Sequence, residues 1–287
     1  MQAEKVVELK KTALRLRFNV LEMIGVGKAG HLGGSSSLAE ITAVLYFHKM
    51  RVNPKNPKDP NRDRFLLSKG HAVLIQYAAL AELGYFPREE LKKVKTLEGL
   101  LQGHPDMKTP GIEAVTGSLG QGLSIATGMS LALRLDKNPA RVHVIMGDGE
   151  LSEGQLWEAA MAAVNFKVDN LVGIVDRNRI QATGPVVEVF NTGDIPAKWK
   201  AFGWNVIEID GHDIPQISAA LDEAETIKGR PTVIIANTVK GKGFSFAENT
   251  AAYHNAALTE ELYKQAQEEL RKQMSELESA GKVRGNI

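Results

Sequence analysis

Two apolar runs separated by a helical segment constrain the fold of this chain most strongly. The runs cover residues 142–146 and 171–176, and each is long enough for one buried strand. Between them, Leu156, Ala160 and Ala163 recur at the spacing of one helix face. A strand, a helix and a second strand in this order predict a parallel pair with the helix packed across it. The fold class expected is therefore α/β, with a mainly parallel sheet covered by helices on both faces.

The rest of the chain continues the same alternation. Further strands are predicted at residues 65–67, 204–209 and 232–236, and helices at residues 4–24, 38–50, 72–83, 119–135, 214–227 and 259–280. A glycine-rich loop is expected at 30–35 and irregular chain at 95–118. Because no repeat or linker interrupts the pattern, residues 1–287 are interpreted as one domain with an N-terminal helical layer and a C-terminal helix.

Polar residues end both apolar runs. Asp148 lies in the turn Gly147-Asp148-Gly149-Glu150 after the first run, and Asn178 follows the second. The carboxyl ends of parallel strands are where open α/β sheets bind ligands. Carboxylate and amide oxygens suit Mg²⁺ or Ca²⁺, and a helix beginning after Glu150 could direct backbone N–H groups at an anion. The pattern predicts a metal-held diphosphate, although Gly-Asp-Gly alone is a common turn.

Composition excludes several other classes. A net charge of +1 gives no support for a nucleic-acid surface. No run has the apolar length of a membrane span, and the charged N-terminus lacks the core of a signal peptide. The absence of cysteine excludes disulfides, thiol nucleophiles and thiolate metal sites. A cytoplasmic enzyme fits these observations.

Histidines give a second functional signal. Four of them lie beside glycine, proline or other loop residues, namely His31, His71, His104 and His254. Histidines at a pocket can exchange protons near neutral pH, although any one of them alone could be structural. No pair has the close spacing of a zinc site. His48 and His143 are interpreted as structural, and His212 as a turn residue.

Three glycine-containing segments need separate interpretation. Residues 25–30 match the dinucleotide fingerprint G-x-G-x-x-G, but they follow a helix instead of a strand, so NAD binding is rejected. Residues 240–243 (Lys-Gly-Lys-Gly) do not form a P-loop; a basic loop near phosphate and a plain surface turn both remain open. Residues 116–122 carry three glycines, which would allow close packing against a flat ligand or a neighbouring chain, or tight helix packing.

Taken together, these segments resemble the thiamine-diphosphate-binding half of transketolase. They occur in the order and spacing of that family over nearly the whole chain, and they comprise residues 30–35, 68–71, 103–105, 116–122, 147–149 with Asn178, and His254. The resemblance is strongest to transketolases split into two chains. It implies thiamine diphosphate and Mg²⁺ (or Ca²⁺) as cofactors. It also implies transfer of a two-carbon ketol unit from a ketose phosphate to an aldose phosphate.

The resemblance assigns metal and diphosphate roles to individual residues. Asp148 and Asn178 would bind the metal through their side chains, and Ile180 through its backbone carbonyl. Gly149 and Glu150 would lie beside the diphosphate, together with Asn178. His71 matches a histidine on the diphosphate side.

It also assigns roles nearer the reaction. Gly117, Ser118 and Leu119 would lie beside the thiamine rings, although the family often has proline where Ser118 stands. Catalytic roles fall on five residues, namely the substrate-contacting His31, His104 and His254 and the interface residues Glu153 and Glu158, which would link paired active sites.

The chain departs from full-length transketolase at its C-terminal side. The pyrimidine-binding and C-terminal domains are absent, and with them the glutamate that activates the cofactor's aminopyrimidine ring. The resemblance therefore implies activity only with a partner chain that carries the pyrimidine-binding domain, in an expected α2β2 assembly.

Three alternatives remain open from sequence. The chain could belong to a related thiamine-diphosphate enzyme such as deoxyxylulose phosphate synthase or the α-chain of a 2-oxo acid dehydrogenase. The loop histidines favour a sugar-handling enzyme over an oxo-acid dehydrogenase. The chain could also be a non-catalytic regulatory subunit that kept the fold, or a fragment of a longer enzyme.

Overall fold

The computed structural model describes residues 1–284, with side chains through residue 279. Its strands in chain order are β1 (Ala29–Gly30), β2 (Arg64–Leu67), β3 (Val142–Gly147), β4 (Leu171–Arg177), β5 (Asn205–Asp210), β6 (Thr232–Asn237) and β7 (Ala256–Ala257). Five of them form a parallel sheet in the order β2-β3-β4-β6-β5, whereas β1 and β7 form a separate antiparallel pair. The predicted parallel sheet is confirmed.

Ten α-helices surround the strands in the described part of the chain. They are α1 (Ala3–Ile24), α2 (Leu32–Ser36), α3 (Ala39–Val44), α4 (Val73–Leu83), α5 (Gly122–Leu135), α6 (Gly154–Asn165), α7 (Val186–Val189), α8 (Ile195–Ala201), α9 (Ile214–Thr226) and α10 (Glu260–Arg284). A π-helical turn, Leu45–Lys49, continues α3. Within residues 1–284, no helix combines the length and apolar content that crossing a bilayer requires.

Side chains of the central strand β4 alternate between two hydrophobic layers. Val172 and Ile174 pack with α1, α3, α4 and α9 on one face. Leu171 and Val175 pack with α5, α6 and α8 on the other. A strand that is buried on both faces has a continuous run of apolar residues, which explains the apolar run at residues 171–176. Helices on both faces are thereby confirmed, and α1 packs against α10 as well as against α3 and α4.

The structure corrects three local predictions. Residues 30–35 were expected as a loop, but Gly30 ends β1 and the short helix α2 begins at Leu32. The small residues of α2 allow close contact with neighbouring segments, since a Cβ at Gly33 would lie 3.0 Å from Lys240 Cγ. The helix expected over residues 38–50 changes at Leu45 from α to π geometry, which hydrophobic periodicity does not distinguish. The helix expected from residue 119 begins at Gly122, since Gly120 has a φ of +83°.

Candidate active site

The carboxyl ends of β3 and β4 open on one cavity, as the sequence predicts. Residues that line it include His71, Leu119, Gly147, Asp148, Gly149, Glu150, Glu153, Asn178, Ile180, Lys240 and His254. β3 and β4 are direct neighbours, and Gly147 pairs in register with Asp176. Asp148 and Asn178 therefore reach the same space from adjacent strand ends.

Asp148 is held as a buried carboxylate. Its side chain is 3% exposed and accepts hydrogen bonds from the backbone N–H groups of Gly149 (2.8 Å) and Arg179. Burial, reinforced by the neighbouring Asp176 carboxylate, raises the pKa of Asp148 to about 6. The fold therefore disfavours the negative charge at this position, and a cation beside it would reverse that preference.

Asn178 and Ile180 present oxygens beside Asp148. The Asn178 amide donates to Asp176 Oδ2 at 2.9 Å, which orients its Oδ1 toward the N–H of Ile180 at 3.1 Å. The Ile180 carbonyl accepts a hydrogen bond from Lys240 Nζ at 2.8 Å. A carboxylate, an amide oxygen and a backbone carbonyl are all hard ligands of the kind Mg²⁺ takes.

The structure reveals a buried ion pair beneath this site that the sequence interpretation missed. Asp176 is fully buried and accepts hydrogen bonds from Lys69 Nζ, Thr238 Oγ1 and Ser37 Oγ. Burial would raise the pKa of Asp176, but the Lys69 ammonium and these hydrogen bonds together lower it. The sequence feature that could have indicated this pair is Asp176 itself, an acidic residue two positions before Asn178 at the end of a buried strand.

Replacing Lys69 with methionine should destabilise the chain strongly. Removing one partner of a buried pair leaves the other charge uncompensated, at a cost of roughly 3–5 kcal/mol. Urea unfolding of Lys69→Met measures this loss, and Lys92→Met, which removes an exposed lysine 3.9 Å from Glu22, is the matched control. A loss of less than about 1 kcal/mol, the size expected for a surface pair, would contradict this assignment.

Glu150 lines the cavity, but its carboxylate is turned into the protein. It is 2% exposed and accepts hydrogen bonds from Ser68 Oγ and from the N–H groups of Gly120 (2.8 Å) and Gly147 (3.1 Å). Burial raises its pKa despite these bonds. Its carboxylate thus joins the residue 116–122 segment to the acidic turn.

Three of the four loop histidines form one cluster. The ring centroids of His31, His71 and His254 lie between 5.0 and 5.4 Å from one another. Burial together with Lys95 lowers the pKa of His31 to about 4, and burial together with Lys240 lowers the pKa of His254 to about 4. The pKa of His71 is lowered further, by burial and then by Lys69. The expectation of near-neutral titration is therefore wrong for these three; they are neutral imidazoles at pH 7, suited to hydrogen bonding with hydroxyls.

The sequence left the role of Lys240 open between a basic loop near phosphate and a plain surface turn. Its side chain is 1% exposed, and its Nζ lies 2.8 Å from the Ile180 carbonyl and 3.1 Å from that of Gln181. His254 Nδ1 lies 2.8 Å away and accepts from the ammonium. Burial lowers the pKa of Lys240 to about 8. A plain surface turn is therefore the wrong interpretation for Lys240, which places a buried cation in the cavity.

A second cavity adjoins the 116–122 segment. His104, Gly117 and Ser118 line it, whereas Leu119 lines the first cavity. Gly117 has a φ of +141°, and a Cβ there would lie 2.6 Å from His104 Cδ2. Glycine is therefore required for His104 and this segment to come together.

The two glutamates predicted at an interface occupy different positions. Glu153 is exposed beside the first cavity, next to the start of α6. Glu158 is exposed one turn further along α6 and does not line that cavity. Their role between subunits stays a prediction.

The residues present fit a diphosphate held by a divalent cation. Asp148, Asn178 and the Ile180 carbonyl supply hard oxygens, and the Lys240 ammonium supplies positive charge for an anion. A Cβ at Gly149 would lie 2.9 Å from Gln181 Cγ, so the absence of a side chain keeps the turn open. Fold and site together define a diphosphate-binding α/β protein of the kind that binds at the carboxyl edge of its sheet.

Comparison with known proteins identifies the family. The family described as "Transketolase, thiamine diphosphate binding domain" matches residues 9–277. The chain therefore belongs to the transketolase family, and it corresponds to the N-terminal, thiamine-diphosphate-binding subunit of two-chain members.

Relatives of similar length are subunits of two-chain enzymes. The chain is 46% identical to the 6-deoxy-6-sulfo-D-fructose transketolase subunit SqwG of Clostridium sp. (strain MSTE9), over 94% of this chain and 99% of that one. It is 40% identical to one subunit of the apulose-4-phosphate transketolase of Phocaeicola vulgatus, over 97% of this chain and 98% of that one.

Single-chain transketolases extend well beyond this chain. The crystal structure of transketolase from Campylobacter jejuni aligns with a TM-score of 0.87 at 35% identity, over 94% of this chain and 43% of that one. Human transketolase is 40% identical over 98% of this chain and 44% of its own length. The chain thus spans less than half of these enzymes.

Proposed function

We propose that this chain and a partner subunit form a transketolase that transfers a two-carbon ketol unit from a ketose phosphate, or a similarly anionic sugar, to an aldose. The observation that carries the proposal is the convergence of Asp148, Asn178, Lys240, His71 and His254 on one cavity, with His31 packed against the two histidines. The partner would contribute the pyrimidine-binding domain and most contacts to the sugar phosphate, in an α2β2 assembly. The present chain would form a single diphosphate-binding domain, in the cytoplasm, in pentose phosphate metabolism.

Each side chain has a distinct task in this proposal. Asp148, Asn178 and the Ile180 carbonyl would hold Mg²⁺ (or Ca²⁺), which would offset the negative charge of the diphosphate. Lys240 and His71 would bind the diphosphate, and the glycine at position 149 would let it approach the backbone. Thiamine diphosphate supplies the carbon nucleophile and the ring that accepts electrons.

The ring-side and substrate-side residues would complete the site. Gly117, Ser118 and Leu119 would contact the thiamine rings. His31, His104 and His254 would bind the sugar hydroxyls, and His31 and His254, which are neutral imidazoles, can hydrogen-bond a hydroxyl without charge burial. His254 Nδ1 accepts from Lys240, so its Nε2 carries the proton and can act as a donor.

A paired binding and turnover experiment tests the proposal. The chain is purified with the subunit that co-purifies with it, titrated with thiamine diphosphate and Mg²⁺, and assayed for ketol transfer from xylulose 5-phosphate to ribose 5-phosphate. Saturable binding and transfer, both requiring the partner, are expected. Turnover of pyruvate without ketol transfer would instead indicate a deoxyxylulose phosphate synthase or oxo-acid enzyme. Absence of binding would indicate a regulatory subunit.

A further inference from the structure

His212 joins two segments that are distant in sequence. It follows β5 in the turn Asp210-Gly211-His212-Asp213. Its Nδ1 lies 2.9 Å from Glu40 Oε2 on α3, and its Nε2 accepts a hydrogen bond from the backbone N–H of Val239 at 2.9 Å. The interpretation of His212 as only a turn residue is therefore incomplete, because both ring nitrogens are used.

These contacts fix one tautomer of the ring. A backbone N–H can only donate, so Nε2 of His212 must be unprotonated and Nδ1 must carry the proton that Glu40 accepts. Glu40 is in turn held by Arg17, which donates two hydrogen bonds to its carboxylate at 2.7 and 2.8 Å. Burial would raise the pKa of Glu40, but Arg17 and the His212 hydrogen bond outweigh it and hold the value at about 2.

The backbone that His212 holds carries Lys240 into the cofactor cavity. Val239 directly precedes Lys240, and the flanking residues are anchored separately: Thr238 Oγ1 donates to Asp176, and Gly241 N–H donates to the Gly33 carbonyl at 3.0 Å. Between these two anchors, the Val239 N–H donates its hydrogen bond to His212 Nε2. A shift of this peptide would move the Lys240 ammonium away from the Ile180 and Gln181 carbonyls.

We propose that His212 is a positioning residue: backed by Glu40 and Arg17, it fixes the Val239 peptide and thereby holds the Lys240 ammonium over the diphosphate side of the cavity. The identity of the ligand rests on the proposed function, whereas the restraint on Val239 does not.

Two amide replacements separate the contact of Nδ1 with Glu40 from the contact of Nε2 with Val239. In His212→Asn the amide nitrogen stands close to the place of Nδ1 and can still donate to Glu40, but no acceptor reaches Val239. In His212→Gln the longer side chain brings an oxygen close to the place of Nε2, where it can accept from Val239. We expect His212→Asn to weaken thiamine diphosphate binding with Mg²⁺ about tenfold, as loss of a supporting contact does, and His212→Gln to recover most of it.

Calorimetric titration of the complex with its partner subunit measures these affinities. A double-mutant cycle with Lys240→Met tests whether the effect of His212 on binding depends on Lys240. If His212 acts through Lys240, His212→Asn should weaken binding no further in the Lys240→Met background. Fully additive losses, or equal losses in His212→Asn and His212→Gln, would overturn the proposal.

Amide exchange provides a readout that needs no cofactor. Exchange at the Val239 amide, followed by NMR, should accelerate at least about tenfold in His212→Asn while the β3 and β4 amides keep their protection. His48→Asn, at an exposed histidine, is the matched control. Unchanged exchange at Val239, or equal loosening of the whole sheet, would overturn the proposal. Failure of the wild-type complex with its partner subunit to bind thiamine diphosphate would contradict the proposed function alone.

Discussion

Replacement of Asp148 by alanine is expected to abolish Mg²⁺-dependent binding of thiamine diphosphate. The side chain is a buried carboxylate whose pKa burial raises to about 6, so it contributes a charge that the fold tolerates poorly without a cation. Loss of a residue that merely supports a metal ligand costs about 10–100-fold in affinity. Loss of the ligand itself should exceed the upper end of that range, measured by calorimetric titration at saturating Mg²⁺.

Chelation gives this experiment an internal comparison. If Asp148 acts through the metal, EDTA should weaken cofactor binding to the wild type strongly and have little further effect on Asp148→Ala. Asp148→Asn keeps the side-chain shape and one acceptor for the Gly149 or Arg179 N–H, which separates loss of charge from misfolding. The exposed Asp136→Ala is the matched control. Wild-type affinity in Asp148→Ala would show that the metal site lies elsewhere.

Replacement of His254 by alanine is expected to leave the cofactor bound and to lower turnover by roughly 10²–10³-fold, the range for removing one hydrogen-bond donor to a developing oxyanion. His254 lies beside His31 and His71, and its ring is a neutral imidazole at pH 7 because burial and Lys240 lower its pKa to about 4. Steady-state ketol transfer with the partner present measures kcat, and titration measures cofactor affinity.

The split between turnover and binding is the decisive result for His254. Lys240 keeps its hydrogen bonds to the Ile180 and Gln181 carbonyls when the histidine is removed, so cofactor affinity should change only a few-fold. His48→Ala, in the π-helical turn outside the cavity, should change neither quantity. If cofactor affinity in His254→Ala falls as far as kcat, the histidine acts by holding Lys240 and not on the substrate.

Much of the fold could be predicted because its signals are local. The runs that became β3 and β4 are continuous and apolar since both faces of these strands are covered. Once the sheet is parallel, the turn after each strand must reach the same edge, so Asp148 and Asn178 were expected together. Helix boundaries were less predictable: α5 begins only at Gly122, after Gly120, which has a positive φ and lies so close to Glu153 that an added Cβ would be 2.7 Å from Glu153 Cβ.

Charge states in the site could not be predicted from residue types. The histidines at positions 31, 71 and 254 were expected to titrate near neutrality, as isolated imidazoles do. Burial, together with the Lys69, Lys95 and Lys240 ammonium groups, lowers their pKa values instead. Those lysines come from separate loops, and their approach to the imidazoles is a property of the folded chain.

The sequence by itself determined the parallel α/β architecture and the placement of the Asp148 and Asn178 side chains at neighbouring strand ends, because periodicity and strand-end position depend only on nearby residues. Only the tertiary structure decided that Lys69 neutralises Asp176 across 107 residues and that His212 holds Val239 across 27. The physical reason is that strand order in the sheet brings these segments together. A buried charged group or N–H must pair with a group that this strand order places within hydrogen-bonding distance.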